Sequence, residues 1–297
     1  MKTESTALLH AWKVLEAGKN QQISLSEIET VVPGSRFTWI HLDINHKDST
    51  RILRKMNAVS KVTEEALLAG ETRPRSEELE SGTLVILRGI NHNNPDEPED
   101  MVSVRLWLQQ DLIISAQRRN LLSIQDISDY LRAGNTFKGP GELLAMLISK
   151  LTHRMESAFA ELDEQMDEIE ESVVSSPSQE TQQQLSSIRK QAILYRRYIS
   201  PQREAVSRLG QSPHAWLTKR CKQEMLVDVD HLIRYVENLD TIRERAQILK
   251  DELTNLLSYK MNRNLYVLSI VTAIFLPLGM LTGLFGINLA GMPGATN

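Results

Sequence analysis

The sequence predicts an α+β cytoplasmic domain followed by long helices, the last of which continues as a stalk into the membrane. Three observations predict this. Asn264 to Asn297 contains no Lys, Arg, Asp or Glu, and Leu265 to Phe285 is a nearly unbroken apolar run. Short β-branched or alternating runs fill the first half of the chain. A stretch starting near His214 meets no helix breaker until Pro277. About 20 apolar residues in a helix cross the ~30 Å hydrocarbon layer of a bilayer, and a spanning segment must satisfy its backbone hydrogen bonds internally.

The strands are expected at Phe37 to Asp43, Thr83 to Leu87, Val102 to Trp107 and Leu112 to Ser115, each bounded by turn residues. The polar run Asn91 to Asp100 reads as a turn between two of them. Thr63 to Leu68 and Ser123 to Leu131 carry helical patterns, and Gly134 to Gly141 reads as a linker. Three long helices follow. One runs from about Glu142 to Val174, and one from about Ser178 to Leu209, with Pro201 able to kink it. The third begins near His214 and, at 1.5 Å per residue, is on the order of 100 Å long. The division expected is a mixed α/β domain over 1–140, a stalk region over 141–263, a membrane helix over 264–288, and the start of an outer loop over 289–297.

Charge fixes the orientation and excludes some functions. Lys250, Lys260 and Arg263 crowd the N-terminal flank of the span and no cation follows it, so the positive-inside rule places residues 1 to about 263 in the cytoplasm. The lone Cys221 fits a reducing compartment. The N-terminus begins no signal peptide. A net charge of −4, without a basic cluster interleaved with aromatics, argues against a nucleic acid partner. Neither a phosphate-cradling glycine loop nor a nucleophile elbow is present, which argues against an enzyme and gives no reason to expect a cofactor.

The third helix carries a stripe with a 3-4 spacing. Asp230, Glu237, Glu244 and Asp251 lie seven residues apart, and the phase continues through Ser258, Leu265, Thr272, Gly279 and Gly286. The interleaved phase holds Val227, Arg234, Thr241, Ile248, Asn255, Asn262, Ser269, Leu276 and Gly283. The stripe is acidic in the cytoplasm, polar near the membrane surface, and mostly small or hydroxylated in the bilayer. A second, apolar stripe (Leu239, Ile242, Ala246, Leu249, Leu253 and Leu256) lies about 200° away on the helix. Acids on a stalk are often only solvated. The continuation inside the bilayer is more informative, because small and polar residues in a span mark a helix-helix or pore-facing surface. Gly279 to Gly283 is also a Gly-x-x-x-Gly, which tight helix packing alone would explain. Several copies around one axis would stack the acids into rings that gather cations.

A long cytoplasmic helix entering the membrane, with Pro277 in the span and Gly286-Ile287-Asn288 at its outer end, resembles the CorA-type metal ion transporters, whose signature is Gly-Met-Asn. Trp39 to Leu42, Ala66 to Arg75, Arg196 to Arg203, Phe275 to Pro277 and Leu281 to Gly286 resemble the zinc transporter (ZntB) branch of that family. The resemblance implies a CorA-like funnel, a homopentamer in the bacterial inner membrane, and a pore lined by the first membrane helix through Asn262, Ser269, Thr272, Leu276, Gly279 and Gly283. It implies that Asn288 gathers a hydrated divalent cation at the outer mouth, with Gly286 allowing close backbone approach. It also implies a second membrane helix, making the protein multi-pass; the sequence ends at Asn297, where the outer loop would lead onward.

An amide oxygen is a hard, neutral acceptor that can bond to the waters of an ion without stripping them. Asn262 could form a second amide ring. Tight zinc sites use Cys and His, yet the chain has neither Cys-x-x-Cys nor His-x-x-x-His, and its histidines (His10, His41, His46, His92, His153, His214 and His231) are scattered. His41 reads as a structural histidine on a strand; Cys221 with His214 or His231 is a conceivable soft site. A second acidic cluster (Glu156, Glu161, Asp163, Glu164, Asp167, Glu168, Glu170 and Glu171) reads as a solvated helix tip or as a cation reservoir. The expected function is zinc or broader divalent cation transport. A magnesium channel of the main CorA branch and a tail-anchored oligomeric scaffold are the alternatives.

Overall fold

The computed structural model describes residues 7–16, 19–27, 35–56, 59–70, 72–79, 81–91, 93 and 100–284. One seven-stranded mixed sheet organises the first half. Its strands are β1 (Leu8–Leu15), β2 (Gln21–Gln22), β3 (Ser35–Asp43), β4 (Arg75–Leu79), β5 (Gly82–Gly89), β6 (Val102–Leu108) and β7 (Leu112–Gln117), in the order β2-β1-β3-β7-β6-β5-β4. Among the described residues, only β3 and β7 pair in parallel, with Trp39 opposite Ile113 and His41 opposite Ser115. The sequence expectation missed β1, β4 and the two-residue β2. In β1 the polar Lys13 sits on a buried position, its Nζ donating to the Glu27 carbonyl at 3.0 Å. In β4 the exposed Glu77 and Glu78 mark a sheet edge, where charge blunts further pairing.

Both sheet faces are covered. Helices α1 (Asp48–Lys55) and α2 (Lys61–Leu68) close one face over Ile40, Leu42, Leu84, Ile86 and Trp107. Ser60 caps α2, its hydroxyl accepting from the Thr63 N–H at 3.2 Å. The opposite face (Phe37, Trp39, Val85, Leu87, Val104 and Leu106) packs under α3 (Leu122–Arg132) and the first turns of α4 (Pro140–Ser175). Because side chains alternate along a strand, β3 feeds both cores at once.

Beyond the sheet, α4, α5 (Gln179–Gln211) and α6 (Lys219–Leu284) pack together as long helices. Pro140 lies in the first turn of α4, where its missing N–H costs nothing. Gly141 is there for space: a Cβ would sit 2.4 Å from the Trp216 carbonyl oxygen, on the segment that leads into α6. That segment explains why α6 starts at Lys219 rather than near His214. His214 stacks on Trp216 at 5.2 Å, and the Thr218 hydroxyl accepts from the Cys221 N–H at 3.2 Å, capping the helix. Phe159 of α4 makes edge contacts of 5.1 and 5.0 Å with Tyr195 of α5 and Tyr235 of α6.

The 66 residues of α6 run about 100 Å. Its buried positions (Leu232, Val236, Leu239, Ile242, Ala246, Leu249 and Leu253) face α4 and α5 at 3-4 spacing. From Ser258 onward the helix leaves the rest of the molecule, and none of its most apolar stretch is buried. A core helix of a water-soluble domain would be covered there, so this segment is built for lipid or for other copies. Removing the Leu239 side chain should cost about 2–5 kcal/mol, whereas Glu237→Gln, two residues away on the exposed face, should stay within about 0.5 kcal/mol. Denaturant midpoints of the two variants check this difference.

Candidate ion pathway along the stalk helix

Every described member of the acidic and polar stripe lies on the open side of α6. Asp230, Glu237, Glu244 and Asp251 are exposed, as are Val227, Arg234, Thr241, Ile248, Asn255 and Ser258 between and beyond them. The apolar stripe, Leu239 to Leu253, is buried on the other side. The two faces are therefore physically separated, as their 200° offset requires. Asn262, Ser269, Thr272, Leu276, Gly279 and Gly283 continue the exposed line along the span. Gly286, Ile287 and Asn288, and the outer-loop residues 289–297, lie outside the described residues.

The stripe is not uniformly acidic. Ile248 is 65% exposed and Val227 57% exposed on the same line. Arg234 is turned toward its own helix, its guanidinium 2.9 Å from His231 Nδ1.

Inside the span the hydroxyls are tied back. Ser269 Oγ donates to the Leu265 carbonyl and Thr272 Oγ1 to the Leu268 carbonyl, both at 2.8 Å. Thr282 Oγ1 reaches the Leu278 and Gly279 carbonyls at 3.0 and 3.1 Å. With the proton committed to the helix, each oxygen presents only lone pairs outward, the polarity that suits the waters of a cation. At Gly279 and Gly283 an added Cβ would meet open space, so in the single chain this Gly-x-x-x-Gly face has no partner.

The second acidic cluster is organised differently from the expectation. Arg245 of α6 draws together three carboxylates of α4, lying 2.5 Å from Asp167, 2.5 Å from Glu170 and 3.6 Å from Asp163. His153 lies 3.3 Å from Glu156. Glu161, Glu164, Glu168 and Glu171 remain exposed. Three of the acids thus fasten α4 to α6 rather than forming a reservoir, a cross-helix role that no single-helix periodicity could reveal. Asp240 does the same for α5, lying 2.7 Å from Arg196 while Arg243 approaches it at 3.1 Å.

The conceivable soft site does not assemble. Cys221 is buried and its sulfur accepts from the Thr218 hydroxyl at 3.1 Å. His214 Nε2 lies 2.9 Å from Thr83 Oγ1, and His231 leans on Tyr235. His92 lies outside the described residues. Among the described residues, no group of three His, Cys, Asp or Glu side chains is placed to hold a metal. His41 is structural, as expected: fully buried, it meets Ser115 Oγ at 2.7 Å, and burial, helped by His10, pushes its pKa down to about 3.

One acid near the acidic line escaped the sequence reading because it sits on the buried side. Asp228 is 6% exposed. It shares a cavity with Glu142, Lys150, Arg220 and Glu224 at the junction of α4 and α6.

Comparison with known proteins places this arrangement. The family described as CorA-like Mg2+ transporter protein matches residues 34–297. The chain belongs to this family. A zinc transport protein ZntB from Pectobacterium carotovorum is 34% identical over 291 residues, covering 98% of this chain and 88% of that protein. The divalent cation transporter CmaX from Pseudomonas aeruginosa is 34% identical over 259 residues, covering 86% of this chain and 78% of the relative. The structure of full-length CmaX superposes with a TM-score of 0.87 at 31% identity, covering 100% of this chain and 92% of that one. The CorA magnesium transporter of Methanocaldococcus jannaschii shares the fold, with a TM-score of 0.78 at 18% identity, covering 99% of this chain and 91% of that one. In this chain the long helix α6 ends in an exposed stretch long and apolar enough to cross a membrane.

Asp228 carries a pH dependence. Burial first, and Glu224 second, push its carboxyl up to about 7 from an ordinary value of 3.8. In the unfolded chain it would ionise at the ordinary value; in the fold it keeps its proton until near neutrality. Its contribution to stability is full below the unfolded pKa and is lost as pH rises through about 7. Asp228→Asn, which cannot ionise, is expected to be more stable than the wild type at about pH 8, with the gap closing toward about pH 4. Thermal unfolding of both proteins across that range checks it.

Proposed function

We propose that this protein transports divalent cations, zinc among them, across the bacterial inner membrane, through a pore that several copies build around α6. The observation that carries the reading is the continuous exposed stripe of α6, acidic through Asp251 and small or hydroxylated from Ser269 to Gly283, opposite a face buried against its own chain. Relatives named as a zinc transport protein and a divalent cation transporter, alike over most of their length, support it.

In this reading residues 1–140 form the cytoplasmic α/β domain, 141–263 the stalk and 264–288 the first membrane helix of a multi-pass chain. Five copies arrange their stripes around one axis. Glu237, Glu244 and Asp251 then form stacked rings along the entry path, with Asp230 at the far end. Single carboxylates are screened within ~8 Å at physiological salt; stacked rings keep the cation enrichment continuous. Asn262 supplies amide oxygens at the membrane surface. Ser269 and Thr272 supply outward lone pairs within the span, and Leu276 an apolar step. Asn288 collects the hydrated ion at the outer mouth. Selectivity then rests on oxygen contacts to ion-bound water, which discriminate loosely among divalent metals.

Neutralising the three inner rings together, as Glu237→Gln, Glu244→Gln and Asp251→Asn, should lower metal flux severalfold at low ionic strength and much less at high salt. Asn288→Ala in the full-length protein should reduce flux by at least tenfold while leaving oligomer size unchanged. Both are measured with Zn2+ and Mg2+ in proteoliposomes. Zinc flux above magnesium flux supports the zinc assignment. Magnesium preference moves the protein to magnesium transport, the activity in the name of its family. Absence of flux for either ion defeats the pore reading.

A further inference from the structure

Two of the stretches that mark the family resemblance, Ala66 to Arg75 and Arg196 to Arg203, are more than a hundred residues apart and have no part in the ion pathway. They meet at one place. The segment after α2 brings Gly70, Thr72 and Arg73, and α5 brings Arg197 and Tyr198, to a cavity of about 470 Å3 at the end of the sheet. The sheet adds three more arginines. Arg88 closes β5, and Arg118 and Arg119 follow β7. Five guanidinium groups thus line one concave surface, and the only carboxylate lining it among the described residues is Asp100, paired with Arg119.

This concentration of charge is built rather than incidental. Arg88 is 8% exposed and is held in place, Nη2 donating to the Thr72 carbonyl at 2.8 Å, with its guanidinium 4.0 Å above the Tyr198 ring. Its backbone N–H donates to Gln202 Oε1 of α5 at 2.7 Å. A sixth arginine lies behind the wall. Arg105 of β6 is fully buried, and its Nη2 donates to the carbonyls of Ala69, at 2.6 Å, and Gly70, at 3.3 Å. Its Nε and Nη1 are buried without a hydrogen-bond partner. Burial, and then the nearby Arg88 and Arg118, push the Arg105 pKa down to about 10. Buried guanidinium N–H groups left unsatisfied are costly, and cations gathered in a cleft repel one another. An anion bound in the cleft relieves that repulsion, including the part felt by Arg105 behind the wall.

We propose that this cavity binds a small, multiply charged phosphate anion in the cytoplasm. The planar fork of Arg matches phosphate oxygens two at a time, the geometry for which arginine outperforms lysine. A volume of about 470 Å3 admits a pyrophosphate or the polyphosphate end of a nucleotide. Arg73, Arg118 and Arg197 are exposed and free to close on it, while Arg88 and Arg105 hold the floor positive. The site is independent of the cation pathway: it involves no residue of α6.

The test is calorimetric titration of the full-length protein in detergent with inorganic pyrophosphate and with ATP. Chelator is present, so that neither anion enters as a metal complex, and salt is near 0.15 M, where charges beyond ~8 Å are screened. Saturable binding is expected, with at least a tenfold loss of affinity in the variant Arg73→Gln, Arg118→Gln, Arg197→Gln. A control variant with Arg51, Arg132 and Arg220 changed to Gln should bind as the wild type does. If the triple variant does not fold, Arg197→Glu alone, on the exposed side of α5, should weaken binding severalfold. No saturable binding of either anion, or equal loss in the control, overturns the proposal. Metal flux in the same variants keeps this outcome separate from the transport reading.

Discussion

Burial of one apolar stripe of α6 against α4 and α5 orients everything else the helix carries. Leu232, Val236, Leu239, Ile242, Leu249 and Leu253 each contribute on the order of 1.5–3 kcal/mol when removed from water. The ion pairs beside them, Arg245 with its three carboxylates and Arg196 with Asp240, are partly exposed and weaker, typically ~0–1 kcal/mol each. Hydrophobic burial therefore sets the rotation of α6, and the ion pairs refine it. Once that rotation is fixed, a helix with 3.6 residues per turn leaves the Glu237 line no choice but to face outward.

The same rotation carries into the bilayer without a break. Beyond Leu257 no neighbour among the described residues contributes to the orientation, so the facing of Ser269, Thr272 and Gly279 is inherited from packing that takes place in water. The cytoplasmic bundle thus acts as the alignment device for a segment it does not touch. The sheet does the same for the base of the stalk, because α4 starts against its inner face and Gly141 lets the Trp216 segment come within contact of it.

Strongly periodic features were legible in the sequence. The stripes of α6, the apolar span and strands β3, β5, β6 and β7 all declare themselves locally, through spacing or β-branched runs. Strand β1 did not, because Lys13 and His10 interrupt its alternation and are accommodated by contacts with residues distant in the chain, among them Glu27 and Ser128. Strand β4 did not, because an edge strand needs charge where a central strand needs hydrophobicity. The Arg245 cluster, the buried Asp228 and the arginine cavity share another obstacle. Each is assembled from elements far apart in the chain, so nothing near any one residue signals it. At the candidate pathway the line of residues was legible, while the side of the molecule it faces became visible only with the packing of α4 and α5.

The absence of any Gly or Pro in α6 before Pro277 has a mechanical consequence. A helix held along one side by a leucine seam and lacking a weak point behaves as a stiff rod about 100 Å long. Displacing its base cannot be absorbed by bending along the way. A tilt of only 2° there moves the far end by roughly 3 Å, comparable to the width of a water molecule. The first place where the rod can flex is Pro277, where the ring removes a backbone hydrogen bond, followed closely by Gly279 and Gly283. A displacement of the base would therefore arrive amplified at the far end of α6, beside the turn at Pro277 where the helix is weakest.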